Sequence, residues 1–307
     1  VCGDSFTAEE VSLLTANARL HRRLYGYLAE RFPPVVYTVL VALFFGSAQL
    51  LAHAHDAQGT LRPGAWVGAL VVWLAFLHLR LMDEHKDFAQ DRAAYPDRLL
   101  SRGVVTLPLL GRVLVVVVLL ELVLASLLGP VALGWWAGMF LFTLAMRFEF
   151  GVGGWLSRHI LAYAITHNPV VGLLAVFAHA ATGLAWSDRF LAYVVLVSVS
   201  SLAFEVGRKI RQPEEEIVGV ESYSSALGRA GAFWLLAALV AVSTAAGIWT
   251  IWPLIGGPQG VCAVGVLIFG AACAVALARP GQPAKRVELG SSVFLLLCFV
   301  AVGVAAW

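Results

Sequence analysis

Nine long apolar stretches run through this chain, and no other feature constrains its fold as tightly. They lie near 34–54, 64–82, 105–128, 132–148, 160–185, 190–207, 230–252, 258–278 and 289–307. A helix needs about 20 residues to cross hydrocarbon, and each stretch meets or approaches that length, the fourth being the shortest. Lipid offers the backbone no hydrogen bonds, so a spanning segment must satisfy its own amides within a helix or a closed barrel. Barrel strands would alternate polar and apolar residues over about ten positions, and that pattern is absent here. The expected fold class is an all-α integral membrane protein with nine transmembrane helices. Composition agrees: 60% of the 307 residues are hydrophobic and only 13% charged, too few charges for a soluble domain. Membrane lipid is an expected partner, and nucleic acid is not.

Ahead of the first span, residues 8–32 mix Leu13, Leu14, Leu20, Leu24 and Leu28 with Arg19, Arg22, Arg23 and Arg31. That mixture predicts an amphipathic helix lying in the membrane surface, and Pro33-Pro34 punctuates the entry into the span. The chain thus divides into a tail and surface helix over 1–32 and a transmembrane catalytic domain over 33–307. Val1 to Glu10 are polar and acidic, without a basic-then-apolar signal pattern. Cys2, Cys262, Cys273 and Cys298 show no paired spacing, so neither a disulfide nor a cysteine-bound metal is expected.

Basic residues are distributed lopsidedly. One set of connections carries Arg19, Arg22, Arg23 and Arg31, then Arg80, Lys86, Arg92, Arg98 and Arg102. The same side adds Arg147 and Arg158, Arg208, Lys209, Arg211 and Arg229, and Arg279, Lys285 and Arg286. The opposite connections hold only Arg62 and Arg189, while Arg112 falls inside the third span. Basic loops stay inside, so the N-terminus and the long connections after spans two and six are expected on the cytoplasmic side of the inner membrane.

The stretch richest in chemistry is Asp83-Glu84-His85-Lys86-Asp87-Phe88-Ala89-Gln90-Asp91. Asp83, Asp87 and Asp91 recur every four residues, so on a helix they share one face with a drift of about 40° per step. Such a face suits a hard divalent cation; Mg²⁺ typically takes one or two carboxylates and fills its remaining positions with water and substrate phosphate oxygens. Arg92, Arg98 and Arg102 follow at once, suited to phosphate oxygens that the metal leaves uncovered. A solvated helix end with charge pairs explains the run less well, because charge beside lipid is scarce and usually functional.

On these residues the chain resembles the UbiA superfamily of intramembrane prenyltransferases. That family's first motif, Asn-x-x-x-Asp-x-x-x-Asp with a further Asp often following, lies at the cytoplasmic end of its second helix; Asp83, Asp87 and Asp91 match its acids. Tyr95-Pro96-Asp97-Arg98-Leu99-Leu100-Ser101-Arg102-Gly103 matches the segment that follows it. The resemblance implies a UbiA-like bundle, Mg²⁺-dependent ionisation of an isoprenyl diphosphate, and a lateral opening for the isoprenyl chain. It further implies metal ligands at Asp83, Asp87, Asp91 and Glu205, and diphosphate contacts from Lys86, Arg98, Arg102, Arg158 and Lys209, with Lys209 and Arg158 closest to the chemistry. Two departures stand out. Leu79 occupies the position of the family's Asn, and the second acidic motif is replaced by Phe204-Glu205-Val206-Gly207-Arg208-Lys209. Glu214, Glu215 and Glu216 follow, and a run of three acids is more often a solvated loop than a ligand set.

The remaining polar residues carry two readings each. Arg147 and Glu149 suit an interfacial ion pair, and His167, before the kinking Pro169, suits a helix–helix hydrogen bond as well as catalysis. Glu121, inside the third span, needs a partner; His78 is placed to line a pocket above Asp83. Trp135, Trp136 and Trp186 fit an interfacial belt. Trp73, Phe76, Tyr163, Phe204 and Tyr223 are candidates to stabilise a carbocation with their rings. Transfer of the prenyl cation to an aromatic or lipid-like acceptor makes the chain a prenyltransferase; attack by the substrate's own double bonds makes it a UbiA-type terpene cyclase. A transporter fits less well, because the acids gather at one membrane face.

Overall fold

The computed structural model describes residues 20–54, 64–217 and 220–307. Among them all regular structure is helical. The surface helix α1 (Leu20–Arg31) is followed by α2 (Pro34–His53), α3 (Ala65–Lys86) and the short α4 (Phe88–Ala94). Next come α5 (Leu107–Leu127), α6 (Pro130–Arg147), the one-turn α7 (Gly153–Leu156), α8 (Ile160–His167) and α9 (Pro169–Ala180). The chain ends with α10 (Asp188–Gly207), α11 (Tyr223–Ile251), α12 (Pro258–Leu277) and α13 (Ala284–Ala306).

Eight segments among the described residues are long and apolar enough to cross a membrane, taking α8 with α9 as one. The chain is an integral membrane protein. The expected fourth span forms α6, whose 18 residues reach about 27 Å at the helical rise; it falls outside the set of eight. The fifth span breaks where expected, at Asn168-Pro169, since proline cannot donate to the ladder. Asn168 Nδ2 donates to the Ser198 carbonyl at 2.8 Å and pins the break to α10. Two helices start earlier than hydropathy predicts. Ser222 caps α11 by accepting from Ser225 N–H, and Glu215 accepts from Ala284 N–H at the head of α13; both satisfy amides that a helix start leaves open. The expected surface helix begins at Leu20 in the described chain, and its predicted first residues, 8–19, lie outside it.

Consecutive spanning helices pack side by side, and α13 returns against α2 to close a ring. Polar hooks tighten the closure. Tyr193 on α10 donates to the Phe44 carbonyl at 2.8 Å, and Gln49 on α2 donates to the Ala178 carbonyl at 2.7 Å. In lipid such bonds supply cohesion that apolar burial cannot, because the competing solvent is itself apolar. Small residues let backbones approach: a Cβ on Gly68 would stand 2.7 and 2.9 Å from the Phe45 ring. Gly68→Ala should therefore force α2 and α3 apart and cost about 1–3 kcal/mol, the usual price of overpacking. Thermal unfolding in detergent checks this; an unchanged midpoint would show that the two helices are not held at this contact.

Candidate active site

The aspartate run sits where α3 ends and α4 begins. Asp87 departs from helical geometry with φ −97° and ψ 6°, yet the four-residue ladder survives the junction. Asp87 N–H donates to the Asp83 carbonyl, Asp91 N–H to Asp87 and Tyr95 N–H to Asp91, each at 2.8 Å. The three carboxylates therefore stay in line, as their spacing predicts, but they meet different neighbours.

Asp91 is enclosed by arginines. Arg98 Nη1 lies 2.6 Å from its Oδ2 and Arg31 Nη2 3.2 Å from the same oxygen. Arg98 also lies over the Tyr95 ring at 3.6 Å. Burial first, then the neighbouring Arg31 charge, push the Arg98 guanidinium down from its ordinary range. Glu84, which the sequence shows as one more acid in the run, is 3% exposed and accepts from Arg31 Nε at 2.7 Å. One residue past Asp83, Glu84 is turned by about 100° around the helix, toward α1. The surface helix is fastened at two further points, Arg23 Nε to the Val104 carbonyl at 2.6 Å and Leu99 N–H to Glu30 Oε2 at 3.1 Å.

Among the described residues neither Asp83 nor Asp87 forms an ion pair with an arginine, although Arg80 reaches Asp83 electrostatically. Lys86 places Nζ 3.9 Å from Asp87 Oδ1. The lysine side chain is only 9% exposed; its ammonium donates to the Tyr163 hydroxyl and lies 4.9 Å from that ring's centre. Tyr163 stacks on His167 with centroids 3.9 Å apart. The Asp87 carboxyl is pushed up to about 6: burial raises it, Lys86 opposes, and the charges of Asp83, Asp91 and Glu149 raise it further. A carboxyl raised by neighbouring carboxylates fits a cation, the charge that relieves the repulsion.

Glu149 enters through a strained turn. After α6 the backbone takes left-handed values at two non-glycine residues in succession, Glu149 at φ 48° and Phe150 at φ 53°, each costing on the order of 1–3 kcal/mol. The turn brings Glu149 within electrostatic reach of Asp87 and sets Phe150 edge-on to His167 at 5.5 Å. The interfacial pair expected between Arg147 and Glu149 is absent among the described residues; the Arg147 guanidinium lies 5.9 Å from the Phe148 ring instead. A crevice of about 10 Å³, room for one water, is lined by Asp83, Lys86, Thr143, Met146 and Arg147 among others.

Other expected residues are placed elsewhere. Arg102 is exposed, and exposed Arg158 donates through Nε to its own loop at the Gly154 carbonyl, 2.9 Å. Glu205 is held by Arg208 on one oxygen and by Lys209 on the other, the latter at 2.9 Å. Of the three glutamates that follow, two brace the loop. Glu215 accepts from Gln212 N–H and Ala284 N–H, bonds that hold its carboxyl below the usual range. Glu216 accepts from the Ser222 and Ser224 hydroxyls at 2.7 and 3.1 Å. Trp136 is 5% exposed and donates to Glu121 at 3.0 Å, so its place is a buried hydrogen bond and not the interfacial belt.

No three His, Cys, Asp or Glu side chains among the described residues gather closely enough to hold a metal alone. Asp83 and Asp87, one turn apart, fit the smaller demand of Mg²⁺, two carboxylates with phosphate oxygens completing the shell.

Two solved structures share this fold. A UbiA homolog from Aeropyrum pernix K1 superposes with a TM-score of 0.66 at 17% identity, over 88% of this chain and 97% of that one. A digeranylgeranylglyceryl phosphate synthase gives 0.63 at 16% identity, over 92% of this chain and 99% of that one. The chain has the UbiA fold. No family model matches the sequence, and no curated protein does, so the likeness is carried by tertiary structure.

The end of α10 carries one of the two departures from the family pattern that the sequence resembles. If Glu205 and Lys209 form only an ion pair, Glu205→Gln and Lys209→Met should each slow turnover little, and together no more than either alone. If both contact the reacting assembly, each should cost ~10²-fold, as loss of one preorganised charge does. Added Mg²⁺ would then rescue Glu205→Gln and not Lys209→Met. Pyrophosphate release by the two single variants and the double variant separates these outcomes.

Proposed function

We propose that this protein is a Mg²⁺-dependent intramembrane enzyme that ionises an isoprenyl diphosphate and transfers the prenyl cation to an aromatic or lipid-like acceptor. The observation that carries the reading is the pair Asp83 and Asp87, one turn apart, outside any arginine ion pair among the described residues, and set beside the buried Lys86 at the end of a spanning helix. Its context is the UbiA fold. When bound there, Mg²⁺ supplies positive charge that stabilises the departing diphosphate. Asp83 and Asp87 would hold it, with Asp91 and Glu205 as further ligands once released from their arginine and lysine partners. Lys86 stands ready to contact the diphosphate as a point charge. Arg98, in the loop after α4, would take phosphate oxygens bidentately after exchanging Asp91 for them. Arg102, Arg158 and Lys209 would complete the cationic rim. The rings of Tyr163 and Phe150 lie within the same cluster, where their faces suit a cationic intermediate. The helix ring excludes water that would otherwise quench it.

One observation favours a second reading. The family's second acidic pair is replaced here by an acid already bound to two cations, and such a departure suits a UbiA-type terpene cyclase acting on the same diphosphate without an acceptor. Incubation with Mg²⁺ and prenyl diphosphates of several lengths decides between them. Pyrophosphate release with a cyclic product in the absence of acceptor means cyclase; turnover that waits for an acceptor means transferase.

Asp83→Ala and Asp87→Ala should each abolish Mg²⁺-dependent pyrophosphate release while the protein remains folded in detergent. Wild-type turnover in both would place the metal elsewhere. The basic-residue bias further supports a cytoplasmic location for this end of the bundle, in the inner membrane. With native cysteines replaced, Ala89→Cys should react with an impermeant label from the cytoplasmic side only, and Asp188→Cys from the opposite side only. Reversed labelling would invert the orientation.

A further inference from the structure

A buried polar chain leads from the Asp83–Lys86 crevice into the membrane interior. Thr143, which lines the crevice, places Oγ1 3.1 Å from His78 Nε2. The other ring nitrogen, Nδ1, lies 3.3 and 3.4 Å from the two Glu121 oxygens. Trp136 Nε1–H donates to Glu121 Oε2 at 3.0 Å. His78 and Glu121 are fully buried, and Thr143 is 2% exposed. Three helices contribute: α3 the histidine, α5 the glutamate, α6 the threonine and tryptophan. Phe140 covers the chain, edge-on to His78 at 5.7 Å and stacked on Trp136 at 5.5 Å.

The hydrogen bonds impose a proton inventory. Thr143 has one hydroxyl proton and two acceptors in reach, His78 Nε2 and the Phe140 carbonyl at 2.7 Å. With the hydroxyl turned to His78, Nε2 accepts, and Nδ1 carries the ring proton and donates it to the Glu121 carboxylate. With the hydroxyl turned to Phe140, Thr143 becomes the acceptor, Nε2 must carry a proton, and the His78–Glu121 pair holds one proton more. The two arrangements differ by one proton and the rotation of one hydroxyl. In the first, the buried pair carries one net negative charge. In the second, the pair is neutral overall.

We propose that Thr143, His78 and Glu121 form a proton-accepting relay that takes up the proton released when the prenyl cation is captured by a hydroxyl-bearing acceptor. The inference rests on the transferase reading above. In that step the bond from the prenyl C1 to the diphosphate oxygen breaks and its electron pair leaves with the diphosphate. A bond forms between C1 and the acceptor hydroxyl oxygen. The proton on that oxygen passes to Thr143 Oγ1 while the Thr143 proton passes to His78 Nε2, and Glu121 offsets the charge that arrives. C1 starts the step bonded to the diphosphate, so the proton is released beside the residues that hold it, where Thr143 lies. Thr143 is the group that meets the acceptor; His78 and Glu121 act through it.

Two substitutions separate the relay from packing. Thr143→Val keeps the shape and loses the proton, whereas Thr143→Ser keeps the proton and loses a methyl. With Mg²⁺, geranylgeranyl diphosphate, and phenol- and glycerol-based hydroxyl acceptors, product formation should fall ~10²-fold in Thr143→Val, His78→Gln and Glu121→Gln, the scale of general-base loss. Thr143→Ser should stay within roughly threefold of wild type, since the transferable proton remains. Equal rates in the Val and Ser variants, or a faster Val variant, overturn the relay and leave the transferase reading standing. A wild-type protein that never releases pyrophosphate overturns both. A second measurement needs no turnover: nitrogen-15 NMR of histidine-labelled protein in lipid, with the His78 signals assigned by their loss in His78→Gln. Resting His78 should show a protonated Nδ1 and a bare Nε2. A protonated Nε2 in the resting protein leaves the relay no place for a proton and overturns it.

Discussion

Carboxylates drawn out of water need compensating charge, and the polar end of this bundle is organised by that need. Breaking a buried ion pair by removing one partner typically costs 3–5 kcal/mol, because the other charge stays behind uncompensated. Glu84 and Asp91 meet the requirement through Arg31 and Arg98, and Glu205 through Arg208 and Lys209. Asp87 meets it only in part, through Lys86, and Asp83 through the electrostatic reach of Arg80 and Lys86. Both acids lie at the end of a spanning helix, Asp83 lining a crevice, and the proposed divalent cation with its diphosphate would complete their compensation.

The surrounding architecture serves that point by bringing in residues from distant parts of the chain. Arg31 arrives from the surface helix, whose hold on the loop before α5 comes from Arg23 and Glu30. Tyr163 and His167 arrive from α8, the half-helix that ends at the Asn168-Pro169 break. Glu149 and Phe150 arrive through a turn held in left-handed conformation. Strain at two adjacent residues persists only where surrounding contacts over-determine it, and here the Phe150–His167 contact supplies one of them.

Beyond the aspartates, the structure separates acids that brace from acids that are available. Glu215 and Glu216 tie the connection after α10 to the heads of α13 and α11, so their hydrogen bonds are spent on fixing a loop. Glu121 lies deep among helices with His78 and Trp136 as partners. Its position connects the interior of the membrane to the crevice through His78 and Thr143.

Much of the fold was legible in one dimension, because the rule behind it is local. Backbone amides in lipid must be satisfied within each segment, so apolar length alone locates the spans, and the proline after Asn168 locates a break. The four-residue spacing of Asp83, Asp87 and Asp91 likewise defines a common face, since helical geometry repeats nearly every four residues. Span edges were less legible where a single side chain set them, as Ser222 does for α11 and Glu215 for α13. Hydropathy also expected α6 to stand with the other spans; the helix forms over 18 residues but falls outside the eight among the described residues that are long and apolar enough to cross. The partners of the charges were not legible at all. That Arg31 faces Glu84 and Asp91 across more than fifty positions, that Glu149 joins Asp87 and ignores Arg147, and that Glu121 finds His78 are outcomes of how helices pack. Local rules assign a residue to a helix and to a face; which neighbour that face meets depends on the closure of the whole ring, and only the tertiary structure decides it.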